Sequence, residues 1–265
     1  MSAARCAEPP AFEVARVRRI DLTLPTPEEN LALEDALLDE CDSGGQDPIL
    51  RFWESPAPFV VLGYAGRAAV EVDLEAAAAL HVPVLRRISG GGAVVQGPGC
   101  VSYALLLPID PCGPTTSIHA TNQWVMERHR QALEPRFPGR IAVQGVTDLT
   151  VDGRKCSGNA QRRRRRWLLF HGTFLVSASL ELIGRVLRPP PQAPGYRQGR
   201  SHLDFLANLE VPVPWLTSRL SACWAAQPRD VPIPAQRINA LVQNRYLRPE
   251  WNRIEAGPAR MATGP

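Results

Sequence analysis

The sequence is almost without lysine. Of its 30 basic residues only Lys155 carries a primary amine; the other 29 are arginine. Surface cations are therefore guanidinium throughout, and the single ammonium suits a task that a planar, forked, permanently charged group performs badly. Metal-type cysteine pairs are missing too. Cys6, Cys41, Cys100, Cys112, Cys156 and Cys223 form no Cys-x-x-Cys, and no histidine completes a zinc set. That excludes a zinc module and leaves reduced thiols. No run approaches the roughly 18 apolar residues of a spanning helix. The start, Met1 to Cys6 followed by Glu8-Pro9-Pro10, has no apolar leader core. A cytoplasmic protein without membrane contact is expected. Excess charge is absent as well: a formal +4 excludes a polycation that binds nucleic acid indiscriminately.

What is present suffices for a substantial core, with 265 residues and 45% hydrophobic content. Residues 1–15 and 255–265, rich in Ala, Pro and Gly, read as disordered ends around one domain over 16–254. Thr26-Pro27-Glu28-Glu29 predicts a capped helix start, and Gly44-Gly45 its end. Strand signals follow at 49–53 and 59–62, then a short helix from Asp73 to His81 and strands at 82–87 and 101–107. A helix is predicted over 117–133, and later ones over 215–224 and 234–246. Asp152-Gly153 between 147–151 and 154–161 signals a type I′ hairpin, with a further strand at 167–176. Strands outnumber helices and come in adjacent pairs. The fold class expected is α+β, a mixed and mainly antiparallel sheet flanked by helices.

Two segments carry chemistry. In Arg86-Arg87-Ile88-Ser89-Gly90-Gly91-Gly92-Ala93-Val94-Val95, three glycines after a strand let the backbone approach a ligand and turn N–H groups inward, while two arginines can grip phosphate. It is neither a Walker loop nor a dinucleotide fingerprint. In Gly153-Arg154-Lys155-Cys156-Ser157-Gly158 the lone amine lies just past the hairpin turn, where it can act as a compact charge against two oxygens. These features make Lys155 the catalytic candidate.

Three ordered blocks resemble the lipoate–protein ligase family: Arg86 to Val94, Asp148 to Ala160, and His171-Gly172-Thr173-x-Leu175. Asn30 to Glu34 and Gly63 resemble its N-terminal helix and second strand, so the similarity spans about residues 27–250. The resemblance implies a biotin/lipoate ligase-like catalytic domain. It also implies ATP-dependent activation of lipoate, or a related medium-chain acid, to acyl-AMP. The acyl group then passes to a lysine of a lipoyl-domain or glycine-cleavage H-type acceptor. ATP, with Mg2+ as its complex, and lipoate are the implied ligands, with no protein-held metal. Arg86, Arg87, Gly92, Ala93, Val94, Val95 and Lys155 are implied nucleotide contacts. Ser89, Gly90, Gly91, Asp148, Gly158, His171, Gly172 and Thr173 are implied to line the acyl pocket or the substrate site.

Some positions depart from that family's pattern. Gln96 stands where His is common, Cys100 where Asn is frequent, and Thr147 where Asn is usual. The two-domain ligases continue well beyond the position of Asn252, which suggests a separate accessory subunit or a compact ligase. Two other classes stay open: an octanoyl or lipoyl transferase working between carrier proteins without ATP, and a non-catalytic acyl- or nucleotide-binding module. The superfamily's transferases need a site cysteine, and 136–148 and 174–187 contain none. Strand alternation should turn Cys156 away from Lys155. The run Arg162 to Arg166 reads as a solvated loop, a docking patch for an acidic acceptor, or a nucleic-acid contact; the lack of interleaved aromatics speaks against the last. His171 fits either a core or a site. The stretch Arg197 to Leu209 is expected to pack over the site.

Overall fold

The computed structural model describes residues 16–44, 47–190 and 192–252. The ends expected to be disordered, 1–15 and 255–265, and the helix-stop residue Gly45 lie outside the described residues. The strands are β1 (Arg18–Asp21), β2 (Ile49–Trp53), β3 (Phe59–Leu62), β4 (Val84–Arg86), β5 (Val94–Gln96), β6 (Cys100–Pro108), β7 (Ile141–Gln144), β8 (Asp148–Val151), β9 (Arg154–Arg163), β10 (Trp167–Leu175) and β11 (Gln227–Pro228). The helices are α1 (Pro27–Gly44), α2 (Ala68–Glu71), α3 (Leu74–Ala79), α4 (Ile118–Leu133), α5 (Leu180–Val186), α6 (His202–Phe205), α7 (Val213–Cys223), α8 (Ala235–Leu241) and α9 (Pro249–Asn252). The eight-stranded sheet runs β11-β1-β2-β6-β10-β9-β8-β7, and a three-stranded one runs β4-β3-β5. Only the β1–β11, β1–β2 and β3–β4 pairs are parallel. The architecture is the α+β one expected.

Local chemistry accounts for the element ends. Glu29 N–H donates to Thr26 Oγ1 at 3.2 Å while Thr26 N–H donates to Glu29 Oε2 at 2.9 Å, so the capping box forms. Asp152 and Gly153 both have positive φ, 50° and 72°, as a type I′ turn requires. The strand expected over 82–87 is shorter. Val82 N–H closes α3 on Ala77 O and Pro83 has no N–H to give, so pairing starts at Val84. The helix expected over 234–246 is α8 followed by a π-helical turn, Val242–Tyr246.

Alternation along three central strands separates two cores. Leu50, Phe52, Tyr103, Leu105, Leu168 and Phe170 pack under α4 and α7. Ile49, Trp53, Ala104, Leu106, Trp167 and Leu169 face α1 and α8. Both faces of the large sheet are thus covered, and the small sheet adds Phe59, Val61 and Leu85 to the core under α1.

The arginine run is tied down rather than free in solvent. Arg163 donates to Thr115 O at 2.6 Å, Arg164 pairs with Asp39 at 2.9 Å, and Arg166 holds the Asp42 and Ser43 carbonyls. The turn between β9 and β10 is therefore tied to α1 and to the loop before α4.

Asp35, fully buried on α1, takes ion pairs from Arg164 at 3.3 Å and from Arg245 of the π-helical turn. Burial pushes its carboxyl up, against the pull of Arg245. Replacing it leaves two arginines facing a dry surface, though each keeps about a third of its solvent contact. Asp35→Ala is expected to cost about 1–3 kcal/mol, read as a lower urea midpoint at unchanged slope.

Candidate functional site

A cavity of about 470 Å³ lies between the small sheet and the β9–β10 face of the large one. His171, Thr173 and Leu175 alternate along β10 and form a floor that changes from polar to apolar. His171 stands opposite Ala160, and Thr173 opposite Gly158 and Ser102. At the apolar end Leu175 meets Ile183, Leu187, Phe205 and Leu206. At the polar end the floor meets the glycine loop.

Lys155 is aimed by a bulge. Thr150 pairs with Lys155 and Leu149 with Ser157, so Cys156 is the extra residue on β9. Lys155 lines the cavity. Cys156 is fully buried in the core on the other face, with Sγ 3.3 Å from Leu149 O. Its thiol is pushed up to about 12 by burial. The ammonium then lies over Gly158: a Cβ on Gly158 would come within 2.8 Å of Lys155 Nζ and 2.9 Å of Cε. This glycine is empty space that the lysine fills. Asp148 Oδ1 takes the ammonium at 2.8 Å, and Asp148 Oδ2 accepts from Tyr196 O–H at 2.6 Å. Burial, then Asp148, raises the Tyr196 phenol. The backbone is held by the same segment, since Ala207 N–H donates to Lys155 O at 2.9 Å. His202 beside the lysine is pushed down to about 4 by burial, then by Arg197 and Lys155. It is a neutral wall.

The glycine loop is wrapped around Arg87. Its guanidinium donates to Ser89 Oγ at 3.0 Å, Val61 O at 3.2 Å, Gly90 O at 2.6 Å and Gly92 O at 3.0 Å. Gly63 lets the loop approach, because a Cβ there would meet Gly91 O at 1.9 Å. Ser89 Oγ lies 2.5 Å from His171 Nε2, and His171 Nδ1 lies 2.5 Å from Glu34 Oε2. Glu34 Oε1 accepts from Trp53 Nε1–H at 2.9 Å. Burial alone would raise the Glu34 carboxyl, but His171, Arg51 and Trp53 outweigh it and hold it low.

The structure brings Arg87, Gly91 to Val95, Asp148, Lys155, Gly158, His171, Gly172 and Thr173 to one cavity. It does not bring Arg86 there. As the neighbour of Arg87 on a strand, Arg86 points the other way. Its guanidinium is spent on the carbonyls of Gly63, Gly66 and Trp251 at 2.8, 2.7 and 2.7 Å. Ser89 supports the loop from behind, and Gly90 faces solvent. Gly172 is glycine because Asn159 crosses it; a Cβ would meet Asn159 Oδ1 at 1.9 Å. Residues that sequence reasoning passed over are Tyr196 and Glu71. Glu71 Oε2 takes the Ala93 N–H at 2.8 Å, and its Oε1 takes Arg67 N–H at 3.0 Å. Neither has a local sequence signal.

Among the described residues no cluster of three or more His, Cys, Asp or Glu side chains could hold a metal ion. The cavity's carboxylates, Glu34, Glu71 and Asp148, are all engaged by protein donors. The residues present do not fit a protein-held magnesium.

The fold and cavity define an α+β protein whose pocket presents one ammonium beside a glycine loop, with an apolar lining beyond it. Residues 26–213 match the Lipoyl protein ligase A/B catalytic domain, and the chain belongs to that family. It is 35% identical over 164 residues to an Aeropyrum pernix protein assigned by name to the lipoate-protein ligases A, covering 62% of this chain and 59% of that one. It is 28% identical over 180 residues to the octanoyltransferase LipM of an Exiguobacterium species, covering 60% and 65%. The chain thus spans about three fifths of the length of these curated relatives. Its fold is shared with a bi-partite lipoate protein ligase from Thermoplasma acidophilum, solved in a study with its E2 lipoyl domain: TM-score 0.75, 21% identity, 91% of this chain and 96% of that one. Among the described residues no helix is long and apolar enough to cross a membrane.

Gly158→Ala is expected to evict the ammonium and leave the fold intact, because the atoms it strikes are the free end of a flexible side chain. Acyl transfer should fall about 10- to 100-fold, the scale of a misplaced catalytic group, at an unchanged melting temperature. Wild-type turnover in this variant would show that the lysine does not work from over Gly158.

Proposed function

We propose that the protein is an ATP-dependent lipoate–protein ligase. It activates lipoate, or a related medium-chain acid, as acyl-AMP and transfers the acyl group to a lysine on a lipoyl-type acceptor domain. The supporting observation is a single ammonium, held by Asp148, midway between a glycine loop and an apolar pocket. In the first step a carboxylate oxygen attacks the α-phosphorus of ATP. The new O–P bond forms as the bond to pyrophosphate breaks. In the second step the acceptor amine attacks the acyl carbon, AMP leaves, and the amine loses a proton. Negative charge grows on phosphoryl oxygens in the first step and on the carbonyl oxygen in the second. An ammonium between the two stabilises both without moving. Arg87 shapes the loop whose backbone lines the nucleotide end. Leu175, Ile183, Leu187 and Phe205 exclude water from the acyl tail.

The similarity to LipM favours a second reading, direct octanoyl transfer between carriers without ATP. Against it, no cysteine lines the cavity among the described residues. Cys100 is also buried, its thiol pushed up to about 12 by burial and then by Glu54. Neither Cys100 nor Cys156 is placed as an acyl nucleophile. The acceptor in this proposal is a lipoyl or glycine-cleavage domain. A separate accessory protein fits the bi-partite relative.

Lipoate-dependent exchange of labelled pyrophosphate into ATP tests the proposal, with and without a candidate accessory subunit. Exchange is expected with wild type. Lys155→Arg should lower it about 100- to 1000-fold, the scale for losing one preorganised charge contact. Cys156→Ser should retain it. A Cys156 acyl-thioester, or octanoyl transfer between carriers with no exchange under any condition, would install the transferase reading instead.

A further inference from the structure

One cavity residue has a hydrogen-bonding atom with no partner. Gln96, the last residue of β5, is 9% exposed, lines the cavity, and its Oε1 accepts nothing. Leaving a buried amide oxygen unpaired costs about 1–3 kcal/mol. Its other end is anchored: Nε2 donates to Thr173 Oγ1 at 3.2 Å, and Thr173 Oγ1 lies 3.4 Å from Ser102 Oγ.

Register places this amide relative to the ammonium. Thr173 stands directly opposite Gly158, and residues so paired project to the same face about 5 Å apart. The space in front of Gly158 is filled by Lys155 Nζ. The ammonium is therefore one strand spacing from Thr173, and the Gln96 amide adjoins Thr173 from the small sheet. A carboxylate set between the two would reach both with hydrogen bonds of about 2.8 Å. Its alkyl chain would then run along Leu175 toward Ile183 and Leu187, and its open side would face the glycine loop. The threonine hydroxyl both donates and accepts, so Gln96 can turn its NH2 to the ligand while Oε1 accepts the Thr173 proton.

We propose that Gln96 is a ligand-binding residue. Its amide is the second hydrogen-bonding group for the acyl carboxylate, opposite Lys155. The inference rests on the acid-activating reading above and adds a residue which that reading does not use. A neutral amide suits the place, because it follows the group from carboxylate to acyl phosphate without adding a second charge for the lysine to face.

The test is direct binding of octanoate, lipoate and octanamide, by calorimetry, to the folded full chain. Gln96→Met keeps the length and removes both hydrogen-bonding ends. It should weaken both acids about tenfold or more, as expected for one bond to a charged group. Gln96→Glu keeps the shape and faces the carboxylate with a like charge. It should weaken octanoate about 100-fold and bind octanamide at least as well as wild type does, since an amide N–H can donate to the new carboxylate. This exchange of preference is a readout that lost packing would not produce. A folded Met or Glu variant that binds octanoate within about threefold of wild type, under 1 kcal/mol, overturns the inference while leaving the ligase reading intact. Wild type that binds neither acid overturns both.

Discussion

A line of buried polar groups joins the parts of the molecule that the cavity needs together. Arg51, on the central strand β2, lies 3.8 Å from Glu34 of α1. Glu34 takes His171 of β10, His171 takes Ser89, and Ser89 takes Arg87. Each of these residues is under a tenth exposed. Burying such groups is costly unless each is paired, and removing one member strands its neighbours. Arg87 Nε–H donates to Ser89 Oγ, and the His171 ring bridges Ser89 Oγ at Nε2 and the Glu34 carboxylate at Nδ1. Arg51 is itself fixed by the Leu22 and Asn30 carbonyls, both at 3.0 Å. The line therefore ties the helical face of the large sheet to the glycine loop, and the cavity forms between parts that cannot drift apart.

That constraint explains the polarity of the cavity. Its glycine-loop end is backbone, because the loop's own arginine has already taken the loop carbonyls. Its far end is aliphatic and aromatic, because α5 and α6 close it with Ile183 and Phe205. Lys155, held by Asp148, lines the same cavity. A guanidinium in that place would need a planar partner and more room than the space over Gly158 provides. The lone lysine of an otherwise lysine-free chain stands in the space left by the absent side chain of Gly158, beside the carboxylate of Asp148.

Much of this was legible in the residues. Short apolar runs identified β2, β6 and β10; Thr26 and Glu29 marked the first helix, and Asp152-Gly153 the hairpin. All are local signals, decided within a few residues. Ser89-Gly90-Gly91-Gly92 and Lys155-x-x-Gly158 marked a site for the same reason. The arginine run was not legible locally, because a run of like charge looks the same whether it meets solvent or, as for Arg164 and Arg166, carboxylates and carbonyls of a helix more than a hundred positions away. Arg86 and Arg87 looked equivalent, and strand geometry sends them to opposite sides.

The sequence by itself determined the longer elements, the family and the two segments that carry chemistry, because periodicity, caps and turns act between near neighbours. Only the tertiary structure decided that Glu34 and His171 meet, that Tyr196 holds Asp148, that Cys156 is turned into the core by a bulge, and that Gln96 keeps an unpaired amide end in the cavity. Each of these depends on which strands lie side by side and on what else is close enough to satisfy a buried polar group. Those are relations between residues far apart in the chain, and no local pattern records them.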